Sequence, residues 1–133
     1  MYCGVFEERE INLQKEKEVA VVREFLAQFG LLLDVAVEYT MAVCREGRII
    51  ATGSLAGEKL CSIAVDPAFQ GEGLAAKVVS NLIKEAGQRG RYRYLINANL
   101  ETEHLFSSLG FTEVTRVDPC TVLLELGLNT AGR

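Results

Sequence analysis

The run Ile63-Ala64-Val65-Asp66-Pro67-Ala68-Phe69-Gln70-Gly71-Glu72-Gly73-Leu74-Ala75-Ala76-Lys77 decides the fold. Its apolar start reads as a strand end, because Asp66-Pro67 stops the ladder: proline has no N–H to donate. Its end reads as a helix start, since Ala75, Val78, Val79, Leu82, Ile83 and Ala86 trace one buried helical face. Between the two lies a glycine-rich loop. Gly71 and Gly73 let the backbone turn tightly and remove side chains that would block a ligand. The amides from about Gly71 to Ala76 are expected to point outward at the positive end of a helix dipole, which suits a pyrophosphate. A glycine-rich turn that merely starts a helix is the plain alternative.

Turn signals place the elements on either side. Upstream, Tyr39–Arg45 and Arg48–Leu55 read as strands joined by Glu46-Gly47, a hairpin signal. Gly57-Glu58 then leads into a third strand, Lys59–Val65, to give an antiparallel meander. Earlier still, Val19, Val22, Leu26 and Phe29 fall at helical spacing, and Gly30 is the expected helix stop. Tyr2–Phe6 reads as a short opening strand, Glu7 to Glu18 as a mixed-charge approach to the helix, and Leu31 to Glu38 shows no clear period. Downstream, Gly87 and Gly90 are expected to close the second helix. Tyr92–Ala98 reads as a strand, Glu101–Leu109 as a short helix, and Phe111–Val117 and Thr121–Leu126 as strands separated by Asp118-Pro119.

The expected order is therefore β–α–β–β–β–α–β–α–β–β. It implies an α+β (mixed α/β) fold with a central, mostly antiparallel sheet and helices on both faces. The unit from Lys59 to Ala98 should put two parallel strands in the middle of the sheet. Residues 1–127 are expected to form a single domain, with 128–133 a frayed tail.

Composition narrows the function. A chain of 133 residues with 14 Lys+Arg against 18 Asp+Glu carries a net charge of −4, which disfavours nonspecific nucleic-acid binding. Apolar runs such as Val19–Val22 and Leu31–Leu33 are too short to span a bilayer. The acidic start at Glu7-Glu8 is unlike a secretion signal, so a cytoplasmic location is expected. Cys3, Cys44, Cys61 and Cys120 include no C-x-x-C pair, and His104 is the one histidine, so no metal site is expected. Cys44 and Cys61, inside strand-like runs, read as small buried hydrophobes.

Two known patterns fit the loop. Gly71-x-Gly73-x-x-Ala76 matches a variant of the dinucleotide fingerprint, but it follows a meander and too little chain remains for a doubly wound sheet. No Walker A sequence is present. The other pattern is Gln70-x-x-Gly73-x-Ala75, which resembles the Q/R-x-x-G-x-G/A signature of the GNAT acyltransferase superfamily. The lead-in Val65-Asp66-Pro67-Ala68-Phe69-Gln70 and the late run His104-Leu105-Phe106-Ser107-Ser108-Leu109-Gly110-Phe111 resemble further motifs of that superfamily. Glu38-Tyr39-Thr40, Ile50 to Gly57, Ile63-Ala64-Val65 and Phe69 to Ala75 also resemble the N-terminal GNAT-like domain of the citrate lyase ligase family. In that family a nucleotidyltransferase-like domain follows, and ligase chemistry is not implied for this chain. An excised domain or a stand-alone relative is expected.

The resemblance implies acetyl-CoA or coenzyme A as cofactor and an amine, on a small molecule or a protein, as acceptor. It implies backbone groups of Ile63, Ala64 and Val65 along the pantetheine, with the parallel strands splaying beyond this point to admit the thioester. It implies Gln70, Gly71, Glu72, Gly73, Leu74, Ala75 and Ala76 around the pyrophosphate. Asn97 or Asn99 would bond the pantetheine or a water, and Phe106 would lie against the cofactor. Lys77, Arg89 and Arg91 are candidates for the 3′-phosphate. Phe106 stands where the family places a proton-donating tyrosine, which leaves Ser107 and His104 as substitute acids and Glu58 as the candidate base. Loss of one positioned acid costs roughly 10²–10⁴-fold in rate. A coenzyme A-recognition domain without turnover is the alternative. Acceptor selection is expected at Leu31–Glu38, whose short apolar character fits a small or shallow site, or an interface such as that of a homodimer.

Overall fold

The computed structural model describes residues 6–100 and 102–127. In chain order they form β1 (Glu7–Glu10), α1 (Glu16–Ala27), β2 (Tyr39–Arg45), β3 (Arg48–Ala56) and β4 (Lys59–Val65), then α2 (Leu74–Gln88), β5 (Arg93–Asn99), α3 (Glu103–Ser108), β6 (Thr112–Asp118) and β7 (Thr121–Gly127). The strands make one sheet in the order β1-β2-β3-β4-β5-β7-β6. Every neighbouring pair is antiparallel except β4–β5, the parallel pair at the centre.

Alternation along β2 divides the core between the two faces. Met41 and Val43 join the larger cluster with Val78, Val79, Leu82 and Ala86 of α2. Ala42 and Cys44 face the other way, onto Val22, Phe25 and Leu26 of α1. Helices therefore cover both faces, as the periodicity predicts. Gly30 ends α1 in a left-handed conformation (φ 70°), with Gly30 N–H donating to Ala27 O and Leu31 N–H to Leu26 O. This is the glycine-terminated helix end that the sequence suggests. Helix α2 repeats the device with Gly90 (φ 82°), whereas Gly87 stays inside the helix rather than closing it.

Two strand expectations change. The first strand among the described residues lies at Glu7–Glu10, inside the stretch read as mixed-charge; residues 2–5 of the expected strand and the tail 128–133 lie outside the described residues. β1 is fully exposed and charged, so no apolar alternation betrays it. It is held by backbone pairing to β2 from Glu7↔Cys44 to Glu10↔Met41, and charged side chains on such an edge resist pairing with another chain. The second change is in β4. Thr52 pairs with Ala64 and Ser54 with Cys61, so Ser62 and Ile63 together oppose Gly53. This bulge puts Ser62 in the left-handed region (φ 53°). Thr52 Oγ1 donates to Ser62 O at 2.9 Å and so satisfies the carbonyl that the bulge removes from the ladder.

Gly53 sets the seat of α2. A Cβ there would lie 2.3 Å from Val78 Cγ1 and 2.9 Å from Leu82 Cδ1, so only glycine lets the helix approach β3 this closely. The start of α2, and the loop before it, are thereby fixed beside the end of β4.

Candidate active site

The loop between β4 and α2 is built from its own backbone. Asp66 Oδ1 accepts from Ala68 N–H at 2.9 Å, and Phe69 N–H donates to Asp66 O at 2.8 Å, closing a 3₁₀ turn at Pro67–Phe69. Gly71 (φ 90°) and Gly73 (φ 79°) then take left-handed conformations, which glycine adopts without strain. The first amide of this stretch to find a partner is that of Lys77, which donates to Gly73 O at 3.1 Å. Among the described residues, no hydrogen bond is made by the amides of Gly71 through Ala76. A Cβ placed on Gly71 or Gly73 would meet no heavy atom within 4 Å, so the space beside the loop is open. Leu74 is 2% exposed: its side chain anchors the helix in the core and leaves only its amide for the loop.

Beside the loop the two central strands part. β4 and β5 are paired only at Lys59↔Leu95 and Leu60↔Ile96. β4 continues to Val65 and β5 to Asn99 with no further pairing between them. The bulge at Ser62-Ile63 falls at the point of divergence. The gap opens into a cavity of about 610 Å³, lined by Ile63, Ala64, Val65, Gln70, Asn97 and Phe106, among others. The expectation that the parallel strands splay is met by this geometry.

A fit test for coenzyme A rests on these features. The six free amides and the open space at the glycines suit a diphosphate at a helix N-terminus. The β5-facing edge of β4 from Ile63 to Val65 carries no strand, and Asn97 and Asn99 line the opposite wall. Gln70 Nε2 reaches Val65 O at 3.5 Å, the limit of a hydrogen bond, so this side chain lies across the mouth of the gap. The residues present fit the group.

The candidates for proton transfer lie elsewhere. Glu58 is exposed in the β3–β4 turn, where its carbonyl accepts from Leu95 N–H at 2.9 Å. His104 and Ser107 are exposed on α3, and none of the three lines the cavity. Phe106, by contrast, is 4% exposed and stacks edge-on with Phe111 at 6.1 Å. α3 thus presents an aromatic ring and no hydroxyl to the gap. Of the 3′-phosphate candidates, Lys77 pairs with Glu8 at 3.5 Å, Arg89 with Glu85 at 3.0 Å and Arg91 with Glu38 at 2.7 Å. Arg89 and Arg91 also follow the C-terminus of α2, about 20 Å along the helix axis from the loop at the usual 1.5 Å rise per residue. The Arg91 guanidinium, with Gly57 N–H, holds the Glu38 carboxyl below the usual carboxylate range.

Three lining residues, Lys59, Cys61 and Ser62, escape the sequence reading as site residues, whereas Leu32 and Asp34, from the loop after α1, fall within the Leu31–Glu38 stretch where acceptor selection is expected. Cys44 is buried as expected, but Cys61 is half-exposed at the cavity wall. Burial pushes its thiol above the ordinary value. The loop after α1 is tied to the bulge by Ser62 Oγ, which donates to Leu32 O at 3.3 Å. Apolar residues Phe29, Leu31 and Leu32 thereby face the same cavity, on the side where acceptor selection is expected. A second concavity of about 670 Å³, lined by Glu10 to Gln14, Val37 and Glu38, shares none of these residues.

The family model described as "Acetyltransferase (GNAT) family" matches residues 5–111. The [citrate [pro-3S]-lyase] ligase of Escherichia coli K12 is 32% identical over 115 residues, which cover 86% of this chain and 33% of that protein. The chain thus spans about a third of the length of the curated ligases it matches. Among solved structures, Escherichia coli ElaA superposes with a TM-score of 0.78 at 11% identity, covering 91% of this chain and 99% of that one. The N-acetylglutamate synthase from Neisseria gonorrhoeae, complexed with coenzyme A and L-arginine, superposes with a TM-score of 0.72 at 16% identity, covering 92% of this chain and 33% of that one. Likeness at such low identity establishes the fold, and the family match over most of the sequence establishes the relationship: this chain belongs to the acetyltransferase (GNAT) family.

Proposed function

We propose that this chain binds acetyl-CoA in the gap between β4 and β5 and directs transfer of its acetyl group to an amine. The observation that carries the reading is the set of six consecutive unpartnered amides, Gly71 to Ala76, at the start of α2. A fold neighbour complexed with coenzyme A supports it. Each amide on an anionic oxygen is worth about 1.5–3 kcal/mol net, so several together anchor a diphosphate. When bound, acetyl-CoA supplies an acetyl thioester.

The chain's own residues do the rest. The amides of Gly71 to Ala76 hold the diphosphate. The free edge of β4 from Ile63 to Val65 offers N–H and C=O groups to the pantetheine amides, and Asn97 and Asn99 face it from β5. The bulge at Ser62 turns the strand so that the acceptor side opens toward Asp34 and Leu32. Phe106 closes the gap with a ring, so proton exchange at nitrogen and sulfur falls to water at the open mouth.

Titration calorimetry with coenzyme A, followed by thiol release from acetyl-CoA over a panel of amines, tests this reading. Saturable binding and amine-dependent thiol release are expected; absence of binding overturns it. The exposed positions of Glu58, His104 and Ser107, with Phe106 in place of a hydroxyl, favour a second reading: a domain that holds coenzyme A without turnover. Binding with no thiol release on any amine selects that reading.

A further inference from the structure

The cavity has an acceptor half, on the α1 side of the sheet, whose charges are sparse and specific. Asp34 and Lys59 are the charged side chains that line it. Among the described residues, neither joins a salt bridge, although seven other basic residues do. Both are exposed and hydrated in the free protein; set on one concave surface with walls from Phe29, Leu31 and Leu32, the two opposite charges complement a ligand that carries both.

The carboxyl of Asp34 is already oriented. Its Oδ1 accepts from Ala36 N–H at 2.8 Å, which fixes the rotamer and leaves Oδ2 uncommitted. Its loop is in turn tethered through Ser62 Oγ to Leu32 O. Lys59 lies on β4, at its first residue, where the parallel pair is still closed. The charges of both residues act on the Cys61 thiol, Asp34 raising and Lys59 lowering its pKa, so both lie within electrostatic reach of one point on the cavity wall.

We infer that the acceptor is a small zwitterion, an amine carrying one carboxylate, with its ammonium on Asp34 and its carboxylate on Lys59. The inference rests on the acetyl-transfer reading and deepens it by naming the substrate class. Asp34 and Lys59 are binding residues: they set the approach of the nitrogen to the gap and take no part in proton transfer. A free amino acid satisfies both charges. Its methyl ester leaves Lys59 unpaired, and its decarboxylated amine does the same.

The test measures thiol release from acetyl-CoA with free amino acids, their methyl esters and the matching decarboxylated amines. A charge-assisted contact is worth about tenfold or more in affinity, so kcat/KM for the free amino acid should exceed that of its ester and its amine by about tenfold. Lys59→Gln should erase this preference, bringing the amino acid down to the level of its ester. Asp34→Asn, whose amide oxygen can still accept from Ala36 N–H, should raise KM about tenfold for all amines. Coenzyme A affinity, measured by calorimetry, should stay unchanged in both variants. Esters or decarboxylated amines that match the free acids overturn the inference, as does a preference that survives Lys59→Gln. Coenzyme A binding without any response to amino acids also overturns it while sparing the cofactor site. A protein that fails to bind coenzyme A at all overturns the reading beneath it.

Discussion

Replacing Gly53 by alanine strikes at the contact that seats α2 and the loop before it. The new methyl carbon would sit 2.3 Å from Val78 Cγ1 and 2.9 Å from Leu82 Cδ1. Relaxed carbon–carbon contacts lie at about 3.5–4.0 Å, so α2 must retreat by more than an ångström or Val78 must leave its rotamer. Val78 and Leu82 are both fully buried, which leaves them little room to yield. Overpacking of this kind costs about 1–3 kcal/mol. Alanine recovers about 0.5–1 kcal/mol of the entropy that glycine loses in a strand. The difference is a net loss of up to about 2.5 kcal/mol, near the upper end because Val78 and Leu82 are fully buried. Urea titration should show a lower midpoint with an unchanged slope. Val78→Ala removes the clashing atom, so Gly53→Ala with Val78→Ala should be less destabilised than the sum of the single variants by about 1 kcal/mol or more. Strict additivity, or a Gly53→Ala protein as stable as the parent, would refute the close approach of α2 to β3.

Three further outcomes follow from the structure. Thr52→Val keeps the shape of the side chain but removes the hydroxyl that serves Ser62 O; an unserved carbonyl at the bulge should cost about 1–3 kcal/mol in the same urea assay. Because Arg91 depresses the Glu38 carboxyl below its ordinary value of 4.5, the stability it contributes is complete above that pH and is lost as pH falls through the folded-state value. The melting-temperature gap between the parent and Glu38→Gln should therefore be full at pH 7 and shrink as pH falls below 4.5, and a gap that widens on acidification would contradict the pairing. Iodoacetamide mapping should label exposed Cys120 ahead of half-exposed Cys61 and buried Cys44. Saturating coenzyme A should slow Cys61 alone, because Cys61 lines the cavity.

Much of this architecture is legible in the sequence. Turn glycines at 47, 57 and 73 and the Asp66-Pro67 stop fix the meander and the start of α2, because each imposes a backbone geometry that few residues tolerate. The run Gln70 to Ala76 shows the tight turn and the free amides at the start of α2 for the same reason. What escapes depends on contacts distant in sequence. β1 is a strand through its ladder to β2, and its four charged residues carry no period. The bulge at Ser62-Ile63 depends on register against Gly53. The positions of Asp34 and Lys59 on one cavity depend on the tether between Ser62 and Leu32. The basic residues near α2 mislead by position in the chain: Arg89 and Arg91 read as phosphate ligands until the helix carries them away from the loop and onto Glu85 and Glu38. Glu58, His104 and Ser107 stand exposed and off the cavity lining, a placement set by turn and short-helix packing that the sequence does not display.

Nuclear magnetic resonance of the ¹⁵N-labelled protein, titrated with coenzyme A, goes straight to the loop. The account predicts that the amide signals of Gly71, Glu72, Gly73, Leu74, Ala75 and Ala76 move furthest and together, saturating with the calorimetric affinity. Saturable binding that leaves those six signals in place, while others shift, would contradict it.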